Sequence, residues 1–356
     1  MNDKYIYSIG LMSGTSLDGL DIVYVKFHKK DYSDFEIIHS NTIKYSEFWE
    51  GRLKNSIHLD TELLSVLDCD YGQYLGNKTQ EFISKNKITS LDFIASHGHT
   101  VLHQPDKGIT FQVGDGQQIY NITKSTTVSD FRTQDVQLGG QGAPLVPIGD
   151  RILFSEYEAC LNLGGFANIS YECGDKRIAF DICPVNIVMN YYCKKIGLDF
   201  DDKGDIASKG TVHEGLLEDL NSLDYYLKKP PKSLGLEWVC QFVYPLLDDY
   251  NLDVEDVLRT FIEHIAQQIS IIIHPFNNVL FTGGGVYNDF LLKRIQIHSN
   301  TQIIQPPDDI INYKEALIFS LLGMLKIHEK INCLSSVTGA KINHSSGKIF
   351  NQNISD

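Results

Sequence analysis

Hydrophobic residues recur with two different periods along this chain, and the two periods predict strands alternating with helices. In the first third, period-two alternation and an excess of β-branched and aromatic residues predict strands. These predicted strands cover residues 4–11, 20–28, 35–40, 91–95 and 127–131. A helical period predicts a helix over residues 61–85 with one buried apolar stripe. The predicted stripe consists of Leu63, Leu64, Leu67, Tyr71, Leu75 and Phe82.

The same order of elements begins again after a glycine-rich segment at residues 138–144. The second half contains predicted strands at 159–163, 168–171, 177–181 and 278–281, and predicted helices at 186–195, 254–274 and 314–327. This repeat predicts an α/β protein built from two βββαβα units. The plan resembles that of actin and the sugar kinases, in which two facing ribonuclease H-like domains enclose a central cleft and ligands lie at strand ends.

Two domains are expected because 356 residues are many for a single hydrophobic core. We expect the N-terminal domain to comprise residues 1–132 plus 335–356, and the C-terminal domain to comprise residues 133–334. The chain is then expected to cross between the domains at 139–144 and at 334–337. Closure of the cleft around its ligands would hinge at these two crossings.

A polar loop joins the first two predicted strands and is rich in residues that bind phosphate. It consists of Gly14, Thr15, Ser16, Leu17, Asp18, Gly19, Leu20 and Asp21. Glycine lets backbone N–H groups approach a ligand closely, and serine and threonine hydroxyls add donors. An ordinary hairpin turn explains the same composition equally well. The loop is not a Walker A motif, because neither a Lys-Ser/Thr pair nor a helix follows its glycines.

Composition and charge limit the binding partners and the cellular compartment that can be expected for this chain. A formal net charge of −14 argues against nucleic acid or an anionic membrane surface as the main partner. The 7 cysteines are scattered and form no Cys-x-x-Cys pair, so we expect reduced thiols in a cytoplasmic protein. The first residues lack the apolar run of a signal peptide, and no apolar stretch is long enough to span a membrane.

Several stretches together resemble the anhydro-N-acetylmuramic acid kinase family, in order and across nearly the whole chain. They are the loop at 14–21, Ser-His-Gly-His-Thr at 96–100 with His-Gln-Pro at 103–105, Asp-Phe-Arg at 130–132, Gly-Gly-Gln-Gly-Ala-Pro-Leu-Val-Pro at 139–147, Leu-Asn-Leu-Gly-Gly-Phe-Ala-Asn at 161–168 and Ser-Val-Thr-Gly-Ala at 336–340. Each stretch alone is weak evidence, but the set is specific.

The resemblance implies an ATP-dependent enzyme of peptidoglycan recycling in the bacterial cytoplasm. Such an enzyme opens the 1,6-anhydro ring of anhydro-N-acetylmuramic acid with water and phosphorylates the released O6, giving N-acetylmuramic acid 6-phosphate. Mg²⁺ is expected because phosphoryl transfer from ATP needs charge neutralisation, and Asp18 is the expected nearby carboxylate. A homodimer is expected from the family alone. Two alternatives stay open: a kinase of this fold for another anhydro or amino sugar, and a non-catalytic sugar or nucleotide sensor.

Asp181 is the expected catalytic base. As a lone strand-end aspartate before a helix it is typical of an N-cap, but it matches the family's catalytic aspartate, which activates the water. The chain departs from the family just after it. The family's Thr-Gly-Pro-Gly-Asn is replaced by Ile182, Cys183, Pro184, Val185 and Asn186, so two glycines are lost and the fit of the sugar is in question.

The remaining candidate residues are expected to bind either the nucleotide or the sugar. Gly164 and Gly165 form a second phosphate loop, and Gly283, Gly284 and Gly285 offer a flat backbone surface for adenosine, although a sharp strand-to-helix turn would look the same. The expected sugar ligands are His97, Arg132, Asn186 and Glu315. Arg132 is expected at the muramyl carboxylate. Open alternatives are a metal site at His97, His99 and His103, an ion pair of Arg132 with Asp130 or Asp135, and a helix-dipole role for Glu315.

Overall fold

A computed structural model describes residues 4–14, 17 and 19–352, and the chain divides into two compact units. The first unit is Met1–Leu153 with Tyr313–Asp356, and the second is Phe154–Asn312. The chain therefore passes between the units at 153/154 and 312/313, whereas the sequence places these crossings at 132/133 and 334/335. Residues 133–153 and 313–334 belong to the first unit.

The first unit contains a seven-stranded sheet. Its strands are β1 (Tyr5–Ser13), β2 (Leu20–His28), β3 (Phe35–Ile43), β4 (Phe93–Gln104), β5 (Ile109–Val113), β6 (Thr127–Ser129) and β12 (Lys348–Phe350). Their order is β12-β6-β4-β1-β2-β3, and β5 pairs with β4. Strands β1, β2 and β3 are antiparallel, while β4 runs parallel to β1 and β6.

The second unit contains a five-stranded sheet with the same plan. Its strands are β7 (Ala159–Leu163), β8 (Phe166–Cys173), β9 (Lys176–Pro184), β10 (Asn278–Thr282) and β11 (Gln302–Ile304). Their order is β11-β10-β7-β8-β9, with three antiparallel strands followed by two parallel ones. Each unit thus has a meander of three strands extended by parallel strands beside the first. This confirms the α/β class and the ribonuclease H-like plan of both halves.

Helices connect the strands in both units. The α-helices are α1 (Glu47–Lys54), α2 (Thr61–Lys85), α3 (Gly116–Thr123), α4 (Thr133–Gln137), α5 (Val146–Leu153), α6 (Asn186–Lys195), α7 (Glu214–Asn221), α8 (Leu236–Trp238), α9 (Tyr244–Asp249), α10 (Val254–Ile273), α11 (Asp289–His298), α12 (Asp308–Ile327) and α13 (Ser335–Thr338). Short 3₁₀ or π turns lie at Ser56–His58, Pro105–Lys107, Asp202–Gly204, Ala207–Lys209, Asp224–Leu227, Val239–Val243 and Gly284–Tyr287. Among the described residues, no helix is both long and apolar enough to cross a membrane.

Helix α2 has the predicted bounds, and five of the six predicted stripe residues are core or near-core. Leu64, Leu67, Tyr71, Leu75 and Phe82 are buried. Leu63 is 51% exposed, so its inclusion in the stripe was wrong. Leu63 lies in the first turn of the helix, where its backbone N–H is capped by Asp60 (2.9 Å).

The carboxyl-terminal part of α12 packs closely against the sheet of the first unit and belongs to that unit. A Cβ atom at Gly10 of β1 would collide with the backbone of Ala316, so only glycine allows this approach. The hydroxyl groups of Ser8 and Ser320 are hydrogen-bonded at 2.6 Å in the same interface. Sequence periodicity could not reveal this long-range contact.

The two segments expected to be hinges are joined to each other inside the first unit. The backbone N–H of Gln141 donates to the Thr338 carbonyl (2.8 Å), and that of Lys341 donates to the Leu138 carbonyl (3.1 Å). Neither 139–144 nor 334–337 is therefore a crossing between the units. The glycines of the first segment serve a tight turn rather than a boundary, since Gly139 and Gly142 have φ of 83° and 68°.

Candidate active site

The loop between β1 and β2 is a hairpin connection whose described residues include Gly14, Leu17 and Gly19. Leu17 has a φ of 61°, a left-handed conformation that is rare for a bulky residue and persists only where the surrounding structure fixes it. Leu20 and Asp21 already belong to β2, paired with Ser13 and Met12 of β1. Thr15, Ser16 and Asp18 lie outside the described residues, so their assignments to ATP and to metal remain predictions.

A hydrogen-bonded relay fixes the start of this loop. The Tyr45 hydroxyl donates to Ser13 Oγ (2.7 Å), which lies 3.0 Å from His99 Nδ1, and Tyr45 also contacts the Tyr71 hydroxyl (2.6 Å). Burial lowers the pKa of His99 to about 4, so the ring is neutral while its Nδ1 is hydrogen-bonded to Ser13. The relay was not predicted from the sequence, because its members come from four separate elements.

His97 and Arg132 are brought together in the first unit. Arg132 Nε donates to His97 Nε2 (3.0 Å), and Arg132 Nη1 donates to the Gly142 carbonyl (2.6 Å). The other ring nitrogen of His97, Nδ1, donates to the Gly98 carbonyl (2.9 Å). Burial, with the nearby Arg132 cation, lowers the pKa of His97 well below its usual value, so His97 is a neutral acceptor. Both of its nitrogens are occupied.

Of the two carboxylates considered as partners of Arg132, Asp135 acts on it electrostatically, whereas Asp130 pairs elsewhere. Asp130 forms its ion pair with Lys348 (2.8 Å) rather than with Arg132. The three histidines do not gather, because His99 contacts Ser13 and His103 contacts Thr110 (3.2 Å). Burial lowers the pKa of Arg132 to about 10, so the guanidinium stays charged while partly stripped of water. Such a cation binds a carboxylate strongly.

Glu315 lies in the interior of α12, which begins at Asp308, so its expected place at the helix start was wrong. The neighbouring Lys314 is buried and pairs with Asp150 at 3.3 Å. The Glu315 side chain is exposed to solvent. Desolvation by the surrounding protein raises the pKa of its carboxyl group, and the positive charges of Lys314 and Arg132 oppose this rise. Glu315 and Arg132 therefore act on each other electrostatically within the first unit.

Asp181 lies within β9, three residues before the strand ends at Pro184. The helix cap after it is Val185, so the N-cap interpretation of Asp181 is wrong. The β8–β9 register shifts here: Ala167 pairs with Cys183, but Asn168 pairs with Asp181, which leaves Ile182 as an extra residue. A bulge of this kind re-aims the side chains beside it and is common next to active sites.

A segment that the sequence did not single out holds Asp181 in place. The Leu234 N–H donates to Asp181 Oδ2 (2.8 Å), the Tyr225 hydroxyl donates to the Asp181 carbonyl (2.6 Å), and Asp181 N–H donates to the Lys232 carbonyl (3.2 Å). We call residues 225–234 the Asp181 clamp. Burial raises the pKa of Asp181, and the Leu234 N–H opposes this rise. The only sequence signal was the pair of prolines at 230–231, which marks a fixed turn.

The two residues that replace the family glycines are both taken up by the core. Neither has a positive φ, although Val185, with φ −132° and ψ −100°, is in neither the helical nor the extended region. Both side chains are fully buried in the core of the second unit. Burial raises the pKa of the Cys183 thiol, so it is protonated and inert beside Asp181. The replacements therefore add buried apolar volume next to Asp181 rather than a reactive group.

Two of the candidate glycines of the second unit, Gly284 and Gly285, line a cavity of about 560 Å³. Its walls include Asn186, Gly284 and Gly285, so Asn186 lies beside the glycine-rich turn of its own unit. The β7–β8 turn adjoins it, because Val185 and Asn186 donate to the carbonyls of Gly165 (2.8 Å) and Gly164 (3.3 Å). Other residues that line this cavity were not predicted from the sequence. They include Phe200, Asp201, Asp202, Lys203, Tyr287 and Gln305.

Comparisons with known proteins agree with this arrangement. The sequence model of the family described as Anhydro-N-acetylmuramic acid kinase matches residues 6–352. A curated relative of that name from Francisella tularensis subsp. novicida is 33% identical, and the alignment covers 95% of this chain and 97% of that protein. The relative of the same name from Zymomonas mobilis subsp. mobilis is 31% identical, with 96% and 99% covered.

A solved structure, the activator of the 2-hydroxyisocaproyl-CoA dehydratase from Clostridium difficile with bound ADPNP, also aligns with the chain. The identity is 15% and the TM-score 0.46, with 89% of this chain and 93% of that chain covered. This likeness is too distant to carry an argument, so the fold assignment rests on the strand order of the two sheets.

Proposed function

Because the chain belongs to the anhydro-N-acetylmuramic acid kinase family, we propose that it converts anhydro-N-acetylmuramic acid, water and ATP into N-acetylmuramic acid 6-phosphate and ADP. The expected role is peptidoglycan recycling in the cytoplasm. The observation that carries the proposal is the setting of Asp181, a largely buried carboxylate with one oxygen held by the Leu234 N–H. Among the described residues, no hydrogen-bond donor contacts its other oxygen, Oδ1, which is left to accept a proton.

In the proposed reaction, Asp181 takes a proton from water as the water oxygen attacks the anomeric carbon. The bond from that carbon to O6 breaks, and O6 receives its electron pair. O6 then attacks the γ-phosphorus of ATP, and the bond to ADP breaks. One carboxylate suffices for both events because phosphoryl transfer captures the leaving oxygen directly. The proton held by Asp181 is released to solvent afterwards.

We place the nucleotide on the glycine-rich elements of both sheets. The loop of 14–21 and the turn at Gly164 and Gly165 offer backbone N–H groups to phosphate oxygens. The cavity beside Gly284 and Gly285 is of the size that encloses a small organic ligand, and we assign adenosine to it. Mg²⁺ enters as part of the MgATP substrate, and Asp18 remains the proposed nearby carboxylate.

We assign Arg132 and Glu315 to the sugar, and Asp181 to the water that attacks its anomeric carbon. Arg132 uses Nε and one hydrogen of Nη1 inside the protein, which leaves Nη2 and the second Nη1 hydrogen for the lactyl carboxylate. His97, expected to bind the sugar directly, has both nitrogens occupied and acts by orienting Arg132. We expect release of ADP to require the anhydro sugar; ADP release that is equally fast without the sugar would contradict the assignment.

The adenosine assignment predicts the effect of Gly284→Ala. A Cβ atom at this position would meet no protein atom within 4 Å, so we expect normal folding. If adenosine fills the cavity, the methyl group intrudes on it at a cost of about 1–3 kcal/mol. The KM for ATP should then rise roughly fivefold or more. Gly51→Ala, at an equally open position in α1, is the matched control. An unchanged KM for ATP in Gly284→Ala would contradict the assignment.

The Asp181 clamp predicts a pH effect for Leu234→Pro, which removes the N–H that favours the Asp181 carboxylate. The pKa of Asp181 is already raised by burial, so activity should be lost on acidification at a higher pH than for an ordinary aspartate. Without the N–H, the acid limb of kcat/KM should move to still higher pH. Leu234→Ala keeps the N–H and should leave the limb unchanged. Identical limbs in the wild type and Leu234→Pro would contradict the role of the clamp.

A further inference from the structure

A buried cluster in the first unit, separate from the proposed chemistry, contains the side chains of Asp135, Cys333 and His344. Among the described residues these are the only three that bring a carboxylate, a thiol and an imidazole within 4.8 Å of one another. Cys333 Sγ is 3.0 Å from Asp135 Oδ1, and His344 Nε2 is 3.5 Å from the same oxygen. All three residues are buried, with exposures of 6% or less.

The surroundings of His344 favour a cation between its ring and the Asp135 carboxylate. Its Nδ1 donates to the Ile342 carbonyl (3.1 Å), which leaves a lone pair on Nε2. Nε2 is buried and has no hydrogen-bond partner, yet it points at a carboxylate oxygen. A lone pair and a carboxylate that face each other without a cation are destabilised in a medium of low dielectric constant.

We propose that Asp135, Cys333 and His344 bind one Zn²⁺ ion. Zinc binds oxygen, nitrogen and sulfur at about 2.0–2.3 Å, so ligand atoms of a tetrahedral site lie roughly 3.3–3.8 Å apart. The two separations from Asp135 Oδ1 require adjustments of only a few tenths of an ångström. A thiolate ligand favours zinc over magnesium or calcium. Binding releases the Cys333 thiol proton to solvent, and the Thr338 hydroxyl, which donates to Asp135 Oδ1 (2.7 Å), is a further oxygen beside the same carboxylate.

The surroundings orient the ligands as they do around structural metal ions. The hydrogen bond to Ile342 fixes the His344 tautomer, and the Gly142 N–H holds Asp135 Oδ2 at 2.7 Å. The carbonyl of Gly142 in turn accepts from Arg132. The ion would therefore tie the C-terminal segment at 333–344 to α4 and stiffen the turn that supports Arg132. Its role is structural, because the cluster is closed to solvent.

The proposal is tested on the full-length protein with the metal alone. After incubation with Zn²⁺ and desalting, elemental analysis should find one equivalent of zinc per chain, and a strong chelator should lower the melting temperature. With Co²⁺ as a spectroscopic substitute, a thiolate-to-cobalt absorption band should appear. Both signals should be lost in Cys333→Ala and in His344→Val, and retained in Cys69→Ala, which removes a thiol elsewhere in the first unit.

Two results would overturn the proposal. Wild-type protein that retains no zinc after desalting would mean that a proton on His344 is the only cation at Asp135. Zinc retained by both Cys333→Ala and His344→Val would place the ion elsewhere. Two variants are used because Cys333→Ala removes a donor to a buried carboxylate and risks misfolding, whereas His344→Val removes the imidazole and keeps that donor.

Discussion

Asp181→Asn should lower kcat roughly 10²–10⁴-fold while leaving the protein folded and able to bind ATP, because removal of a positioned general base typically has an effect of that size. The amide keeps the shape of the side chain and can still accept from the Leu234 N–H, so the clamp is retained. Only the ability to take a proton from water is lost. Steady-state turnover at saturating sugar and ATP, with nucleotide binding measured separately, checks this result.

The matched control is Asp175→Asn, in the turn between β8 and β9. Asp175 is an exposed carboxylate of the same hairpin, and its replacement should leave turnover near the wild-type value. Turnover of Asp181→Asn within a few-fold of the wild type would remove Asp181 from the mechanism. Equal losses in both variants would point to a general effect on the hairpin.

Arg132→Lys should lower kcat/KM for the sugar about tenfold to a hundredfold, mainly through KM. Lysine keeps the charge but loses the planar fork that holds His97 and the Gly142 carbonyl while offering N–H groups to a carboxylate. A hydrogen bond to a charged group contributes about 1.5–3 kcal/mol, which corresponds to this range. Initial rates over a range of sugar concentrations at saturating ATP give the two constants separately.

A substrate analogue makes this prediction specific. The 1,6-anhydro sugar without the lactyl group has no carboxylate, so it should be a poorer substrate for the wild type, and Arg132→Lys should reduce its kcat/KM much less. Arg52→Lys, at the surface ion pair with Asp70 (2.8 Å), is the control for the substitution itself. Equal losses with both sugars would mean that Arg132 does not bind the carboxylate.

The sequence predicted those parts of the fold that depend on local pattern. The first residue of α6 and the whole of α2 match the prediction, since caps and apolar periods lie within the element itself. Strand β4 was predicted too short, because its second half carries many polar residues. The polar run from Ser96 to Gln104 resembles a loop in sequence, although it pairs with β5 along most of its length.

The boundaries of the units and the contacts that hold Asp181 depend on residues far apart in the sequence, which local sequence patterns do not predict. The 139–144 segment has the composition of a hinge, but hydrogen bonds to 334–341 fix it within one unit. Asp181 was identified from a family motif, while its clamp was missed because the partners at 225–234 follow it by more than forty residues. Asn186 was expected at the sugar, which stays a prediction; the structure shows only that it lines the cavity beside Gly284 and Gly285.

The central claim is that water opens the anhydro ring while the sugar's own O6 receives the phosphoryl group. The most direct test is to run the reaction with ATP and Mg²⁺ in ¹⁸O-labelled water and to analyse the product early by mass spectrometry, before the anomeric hydroxyl exchanges by mutarotation. The account predicts one labelled oxygen on the anomeric carbon and none in the bridge of the phosphate ester. Label in the ester bridge, or a phosphorylated product whose anhydro ring is still closed, would contradict it.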